Sequence, residues 1–201
     1  MSAMDEQKAE KRKFPRQAAL DVTRQLTLVL GPLSARYKVC GSLRRRRELV
    51  GDIEIVYIPH WMQWPDAGDI FGREIPVNVF DHALNLALES GVLAKRRNKL
   101  GRESWGDENK LAVHCATGIP IDFFATTQEA WWNYVVCRTG GAESNIAICT
   151  AAQELGWKWH PTGAGFERME GAEKGTIRAV RCERDVFDFV GLPYLEPSDR
   201  K

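Results

Sequence analysis

The sequence predicts an α+β fold, a mixed sheet with helices followed by a smaller α+β unit. Three observations predict it. Residues 52–58 begin by alternating polar and apolar side chains and continue as an apolar, β-branched run that ends at Pro59, as a strand does. Residues 15–30 and 77–90 carry apolar side chains at helical spacing. After Thr126 the pattern turns helical, then breaks into short glycine-punctuated stretches. With 201 residues the chain has room for one large domain or two small ones. The boundaries read as a charged tail over 1–14, a first unit over 15–125 and a second over 126–201.

Each element follows from its residues. In 15–30, Ala19, Val22, Leu26 and Leu30 line one helical face, and Gly31 with Pro32 ends it. Residues 35–40 read as a strand, or as a helix tail followed by a strand. Residues 60–75, rich in Trp, Pro, Gly and Asp, read as a loop. In 77–90 the stripe is Val77, Phe80, Leu84 and Leu88, closed by Gly91. Residues 92–99 and 110–116 read as a strand pair, and 119–125 as a buried strand carrying Asp122. Helices are expected over 128–136 and 142–155, short strands within 157–181, and a last helix over 184–190.

Composition excludes several classes. The chain is 44% hydrophobic and 27% charged, as ordinary globular proteins are. A net charge of +1 means that any basic surface is local. Five scattered cysteines with no C-x-x-C pair imply free thiols in a reducing, cytoplasmic compartment. No apolar run approaches a membrane span, and the four histidines lack zinc spacing. Most of the seven tryptophans are expected to pack, including Trp131 with Trp132, and Trp157 with Trp159.

Chemistry concentrates between residues 41 and 54. Gly41 and Ser42 form a turn, Arg44 to Arg47 add positive charge, and Asp52 and Glu54 follow at i, i+2. On a strand, i and i+2 point to one face, so the two carboxylates converge with Ile53 and Ile55 behind them. Converging carboxylates repel unless a cation lies between them, and oxygen donors suit Mg²⁺ or Mn²⁺. A Gly-Ser turn offers amides to phosphate. Asp122, on the apolar strand of Ile119, Ile121, Phe123 and Phe124, is costly there unless it faces a metal or partner. Together the three carboxylates read as a two-metal site acting on a nucleoside triphosphate. The bland alternatives are an edge-strand acidic pair and a solvated arginine loop. A second basic cluster, Lys95, Arg96, Arg97, Lys99 and Arg102, is either a solvated hairpin or a phosphate-backbone track.

These motifs resemble the family X DNA polymerases of the nucleotidyltransferase superfamily. Gly41, Ser42, Leu43, Arg44, Arg45 and then Gly51, Asp52, Ile53, Glu54 match that family's palm signature. Ile119, Pro120, Ile121, Asp122 and Phe123 match its third-carboxylate strand. Thr139, Gly140 and Asn145 resemble its nucleotide-binding helix entrance. The stretches at 185–189 and 194–200 resemble its terminal segments. The resemblance implies a nucleotidyltransferase palm followed by a thumb-like nucleotide-binding domain. It also implies template-directed transfer from a dNTP to a primer 3′-hydroxyl, with short-gap filling in DNA repair as the task. Asp52, Glu54 and Asp122 would hold two Mg²⁺ or Mn²⁺ ions, with Asp122 nearest the primer hydroxyl. Gly41, Ser42, Arg45, Thr139, Gly140 and Asn145 would bind the nucleotide. Arg44, Lys95, Arg96, Arg97 and Lys99 would contact primer-template or gapped DNA. The chain is expected to act as a monomer.

Departures from the pattern are specific. Glu54 stands where the family usually has Asp. Cys137 and Arg138 replace an aromatic pair that checks the sugar, which leaves the choice between dNTP and rNTP open. Pro120 stands where the family often has Arg. Only a tail and one helix precede the palm, so neither lyase activity nor a helix-hairpin-helix grip is expected. The rival readings are a nucleotidyltransferase acting on RNA ends, protein or a small-molecule hydroxyl, and a binding module without turnover.

Overall fold

A computed structural model of the chain describes residues 12–69 and 71–201. The expected tail therefore lies almost wholly outside the described residues. The elements run β1 (Phe14–Pro15), α1 (Arg16–Leu30), β2 (Ser34–Val39), α2 (Gly41–Arg44), β3 (Leu49–Val50) and β4 (Ile53–Pro59). Next come β5 (Trp61–Pro65), β6 (Glu74–Asn78), α3 (Val79–Glu89), β7 (Leu93–Lys95), β8 (Asn109–His114) and β9 (Pro120–Ala125). The chain finishes with α4 (Trp131–Thr139), α5 (Ala142–Glu154), β10 (Trp157–Trp159), β11 (Gly165–Arg168), β12 (Ile177–Ala179) and α6 (Glu183–Phe189).

A five-stranded mixed sheet in the order β2-β4-β9-β8-β7 frames the first half. The central pair, β4 and β9, is parallel, and the other pairings are antiparallel. Alternation gives the sheet two faces. Ile53, Ile55 and Tyr57 on β4, with Ile121 and Phe123 on β9, point into a core closed by Val22, Leu26 and Leu30 of α1 and Phe80 and Leu84 of α3. Val56 and Phe124 point the other way, against Trp131, Tyr134 and Val135 of α4. One polar knot sits beside the first core: the Tyr57 hydroxyl donates to Asp81 at 2.8 Å, and Lys110 pairs with Asp81 at 2.7 Å. Burial and the Asp81 charge push the Tyr57 phenol far above its ordinary range.

A third core belongs to the C-terminal half. Val136, Ile148, Trp159, Phe166, Val186 and Phe187 pack together, beside the three-stranded sheet β10-β11-β12. Gly165 shows how closely that sheet is built: a Cβ there would lie 1.9 Å from the Arg178 carbonyl oxygen.

The expected loop over 60–75 is instead largely a β-hairpin, β5 with β6, running register to register from Trp61↔Asn78 to Pro65↔Glu74. Its prolines sit at Pro65 and Pro76 in a two-stranded ribbon, where open edges tolerate a missing N–H. Val77 belongs to β6, and α3 starts only after Asn78, whose side chain accepts from the Asp81 amide.

Candidate active site

The site is built at the ends of β4 and β9 where they meet α2 and α4. Parallel pairing sets Glu54 directly beside Asp122. Asp52 falls in the turn just before β4, one residue short of the expected strand. The three carboxylates feel one another. Burial, helped by the charges of Asp52 and Asp122, raises the Glu54 carboxyl to about 7, against the opposing pull of Arg138 and Arg45. The strand pairing brings Glu54 and Asp122 together, with Asp52 in the turn that precedes β4.

Glu54 is shaped by Gly41. The expected Gly-Ser turn is a single helical turn, α2, entered at Gly41 with φ +64°. A Cβ on Gly41 would lie 2.1 Å from Glu54 Oε2, so only glycine lets that carboxylate lie against the backbone. The Cys40 amide donates to the Glu54 carbonyl at 2.8 Å, fixing the turn to the strand. Next to it, the Ser42 hydroxyl is buried with no protein partner. Ser42, Arg45, Arg46, Arg47 and Lys13 line an open cavity of about 630 Å³. Four cations and an unpaired hydroxyl outweigh the one carboxylate in the lining, Glu48, and suit a polyanion.

The arginines of this turn reach across the molecule. Arg45 donates to the Thr139 carbonyl, and Arg44 donates to the Thr139 hydroxyl at 2.5 Å. Burial and the neighbouring Arg47 pull Arg45 below its ordinary value. Gly140, at φ +51°, lies between Arg45 and Asn145; a Cβ there would meet Asn145 Nδ2 at 3.5 Å and Arg45 Nη1 at 3.7 Å. Asn145 donates to the Cys137 carbonyl at 3.0 Å, while its own amide oxygen is buried without a protein partner. Thus all six expected nucleotide contacts gather at the junction of α2, α4 and α5.

The expected DNA contacts divide. Arg44 is turned inward, paired with Glu183 at 2.5 Å. Lys95 lies over the Trp105 ring, and Arg97 donates to the Gly101 carbonyl at 3.3 Å. Lys99 is exposed. Arg96 pairs with Asp122. Sequence reasoning missed that contact, and it singled out Arg138 only as part of the pair replacing the sugar-checking aromatics, whereas its guanidinium lies 3.6 Å over the Phe124 ring and faces Glu54 electrostatically. Glu183 was missed too, and Arg200 was read only as the end of the 194–200 segment. Arg200 is fully buried and pairs with Glu183 at 2.9 Å.

The donor chemistry fits a divalent ion: three carboxylate oxygen donors in mutual repulsion, which a cation between them would relieve. The shell is not assembled, since among the described residues no group of three His, Cys, Asp or Glu stands at metal-holding distances.

Residues 134–201 match the family model of the DNA polymerase beta thumb. The whole chain aligns at 24% identity with DNA polymerase/3′-5′ exonuclease PolX of Bacillus subtilis, over 31% of that protein. It aligns at 25% identity with DNA polymerase lambda of Rattus norvegicus, over 80% of this chain and 28% of that protein. The chain is similar to these DNA polymerases. It spans about a third of the length of these two curated relatives. The fold agrees: a Leishmania infantum polymerase beta, solved as a ternary P/T complex, superposes with a TM-score of 0.67. That match covers 94% of this chain and 77% of the other at 18% identity. No helix among the described residues is long and apolar enough to cross a membrane.

Proposed function

We propose that the chain is a template-directed DNA polymerase of the X type, extending a primer 3′-hydroxyl from a dNTP and filling short gaps during DNA repair. The observation that carries this reading is the coupled set Asp52, Glu54 and Asp122 beside the basic cavity of Ser42 and Arg45. In this reading residues 15–125 form the palm and 126–201 the thumb-like domain. The free thiols at Cys40, Cys115, Cys137, Cys149 and Cys182 suit a reducing, intracellular compartment.

Asp52, Glu54 and Asp122 would hold two Mg²⁺ or Mn²⁺ ions, which supply Lewis-acid stabilisation of the charge developing in phosphoryl transfer. The chain's own residues do the rest. Asp122 accepts the proton of the primer hydroxyl as its oxygen attacks the α-phosphorus. The bond from that phosphorus to the bridging oxygen breaks, and pyrophosphate leaves. Ser42 and Arg45 hold the β- and γ-phosphates through charge-assisted hydrogen bonds. Gly140 lets the sugar approach the backbone, and the free amide oxygen of Asn145 accepts from the base or the minor groove. Arg138 stacks on Phe124, so its side chain leans toward β9. Sugar choice would then rest on the backbone of Thr139 and Gly140.

Primer extension on a one-nucleotide-gapped duplex tests this, with each dNTP and rNTP in turn and Mg²⁺ or Mn²⁺. Templated addition that disappears in Asp122→Ala is the expected result. No extension by the folded wild-type protein with either metal would sink the reading.

A further inference from the structure

Three strands, and the residue just past a fourth, place one residue each in a single row across the sheet. Glu54 on β4 pairs with Asp122 on β9, and Asp122 pairs with Leu111 on β8. The Arg96 amide donates to the Leu111 carbonyl at 3.0 Å, continuing the row one residue past β7. Side chains of one row share a face. Arg96 therefore points the same way as the carboxylates, and it reaches over Leu111 to pair with Asp122. Its neighbours cannot, because Lys95 and Arg97 fall on the opposite side of the alternation. The pair is neither buried nor loose: Arg96 is 28% exposed and Asp122 14%. Arg138 is different in kind, held over Phe124 and within 5.2 Å of the Tyr134 ring.

We propose that Arg96 is a positioning residue that occupies Asp122 in the metal-free protein and has to leave before a divalent ion can be held there. The inference rests on the reading of Asp122 as a metal ligand. A carboxylate oxygen that accepts from a guanidinium has that lone pair committed, so ion and arginine compete for it. The exchange favours a divalent ion, which brings a second positive charge to three carboxylates where Arg96 brings one. It also frees a cation on the exposed edge of the basic run. Arg96 thus stabilises the acidic centre while it is unloaded and weakens its apparent affinity for metal. A ligand held by its competitor nine-tenths of the time binds about tenfold more weakly.

Mn²⁺ binding measured by electron paramagnetic resonance, without nucleotide or DNA, tests this separately from turnover. The proteins are wild type, Arg96→Met, Arg96→Lys and Asp122→Asn, each first melted to check folding. Arg96→Met keeps the aliphatic stem and should bind Mn²⁺ about tenfold more tightly. Arg96→Lys, with a weaker monodentate cation, should gain a smaller factor, and it carries the test if Arg96→Met fails to fold. Adding Asp122→Asn should erase the gain. Unchanged or weaker binding in the folded Arg96 variants would overturn the proposal while leaving the metal reading intact. Absence of Mn²⁺ binding in wild type and variants alike would overturn both.

Discussion

Glu54 carries the energetic cost of the site. Its carboxyl is raised to about 7 by burial and by Asp52 and Asp122, so in the metal-free protein the folded state holds its proton more tightly than the unfolded chain does. The sign follows. Between the ordinary carboxylate range and pH 7, the folded state binds more protons, so stability falls as pH rises through that window. Replacing Glu54 with Gln removes the titration. In chelator at pH 8, E54Q should be more stable than wild type by about 1–3 kcal/mol, with the difference vanishing near pH 4.5. Urea melts at several pH values check it. A variant less stable than wild type at pH 8 would show that Glu54 is already compensated by Arg45 and Arg138. Gly41 belongs to the same argument. Gly41→Ala puts a methyl 2.1 Å from Glu54 Oε2 at φ +64°. It should cut primer extension at least about a hundredfold, the usual scale for displacing a group from productive geometry. A smaller loss would mean that Glu54 can shift without consequence.

At the scale of elements, strands were legible where their apolar residues are dense enough to fill a core. The Ile53, Ile55, Tyr57 alternation on β4 could be read directly, because the face it buries is continuous with α1 and α3. The α1 stripe was equally plain, since Ala19, Val22, Leu26 and Leu30 all face that core. The β5–β6 hairpin was not legible. Its residues mix Trp61 and Met62, both exposed, with prolines and a glycine-rich tip, so no period-2 burial signal arises. Asp52 and Glu54 could be found from the i, i+2 spacing, and Asp122 as a lone carboxylate on an apolar strand. Arg96 could not, because its partner is reached across two strand pairings rather than along the chain. Gly165 shows a further limit. It reads as a loop glycine, yet it lies in β11 with the backbone of β12 against it. Gly165→Ala should cost about 1–3 kcal/mol by overpacking, lowering the melting temperature without changing metal binding. An unchanged melting temperature would mean that β12 gives way freely.

Across the whole molecule, two cores meet through a third, made by Cys40, Val56 and Phe124 against Trp131, Tyr134 and Val135. A charged network runs beside it. Arg44 and Arg200 both pair with Glu183, and Arg47 donates to the Arg200 carbonyl at 3.0 Å. Burial alone would raise the Glu183 carboxyl, but the two guanidinium groups outweigh it and hold it below its ordinary value. This contribution is therefore present above the ordinary carboxylate range and is lost as pH falls through the lowered folded value. Glu183→Gln leaves two guanidinium groups without their carboxylate, one of them on a fully buried arginine. Breaking such a network from one side costs about 3–5 kcal/mol. The loss should be largest at neutral pH and shrink in acid. Because Arg44 and Arg45 also hold Thr139, the loosening should spread from α6 to the turn at residues 41–47 and to the end of α4. Amide hydrogen exchange in Glu183→Gln should accelerate in all three segments while β4 and β9 keep their protection. Faster exchange confined to α6 would mean that the network stabilises the C-terminal unit alone. The residues proposed to contact the nucleotide would then be held together by the apolar seam instead.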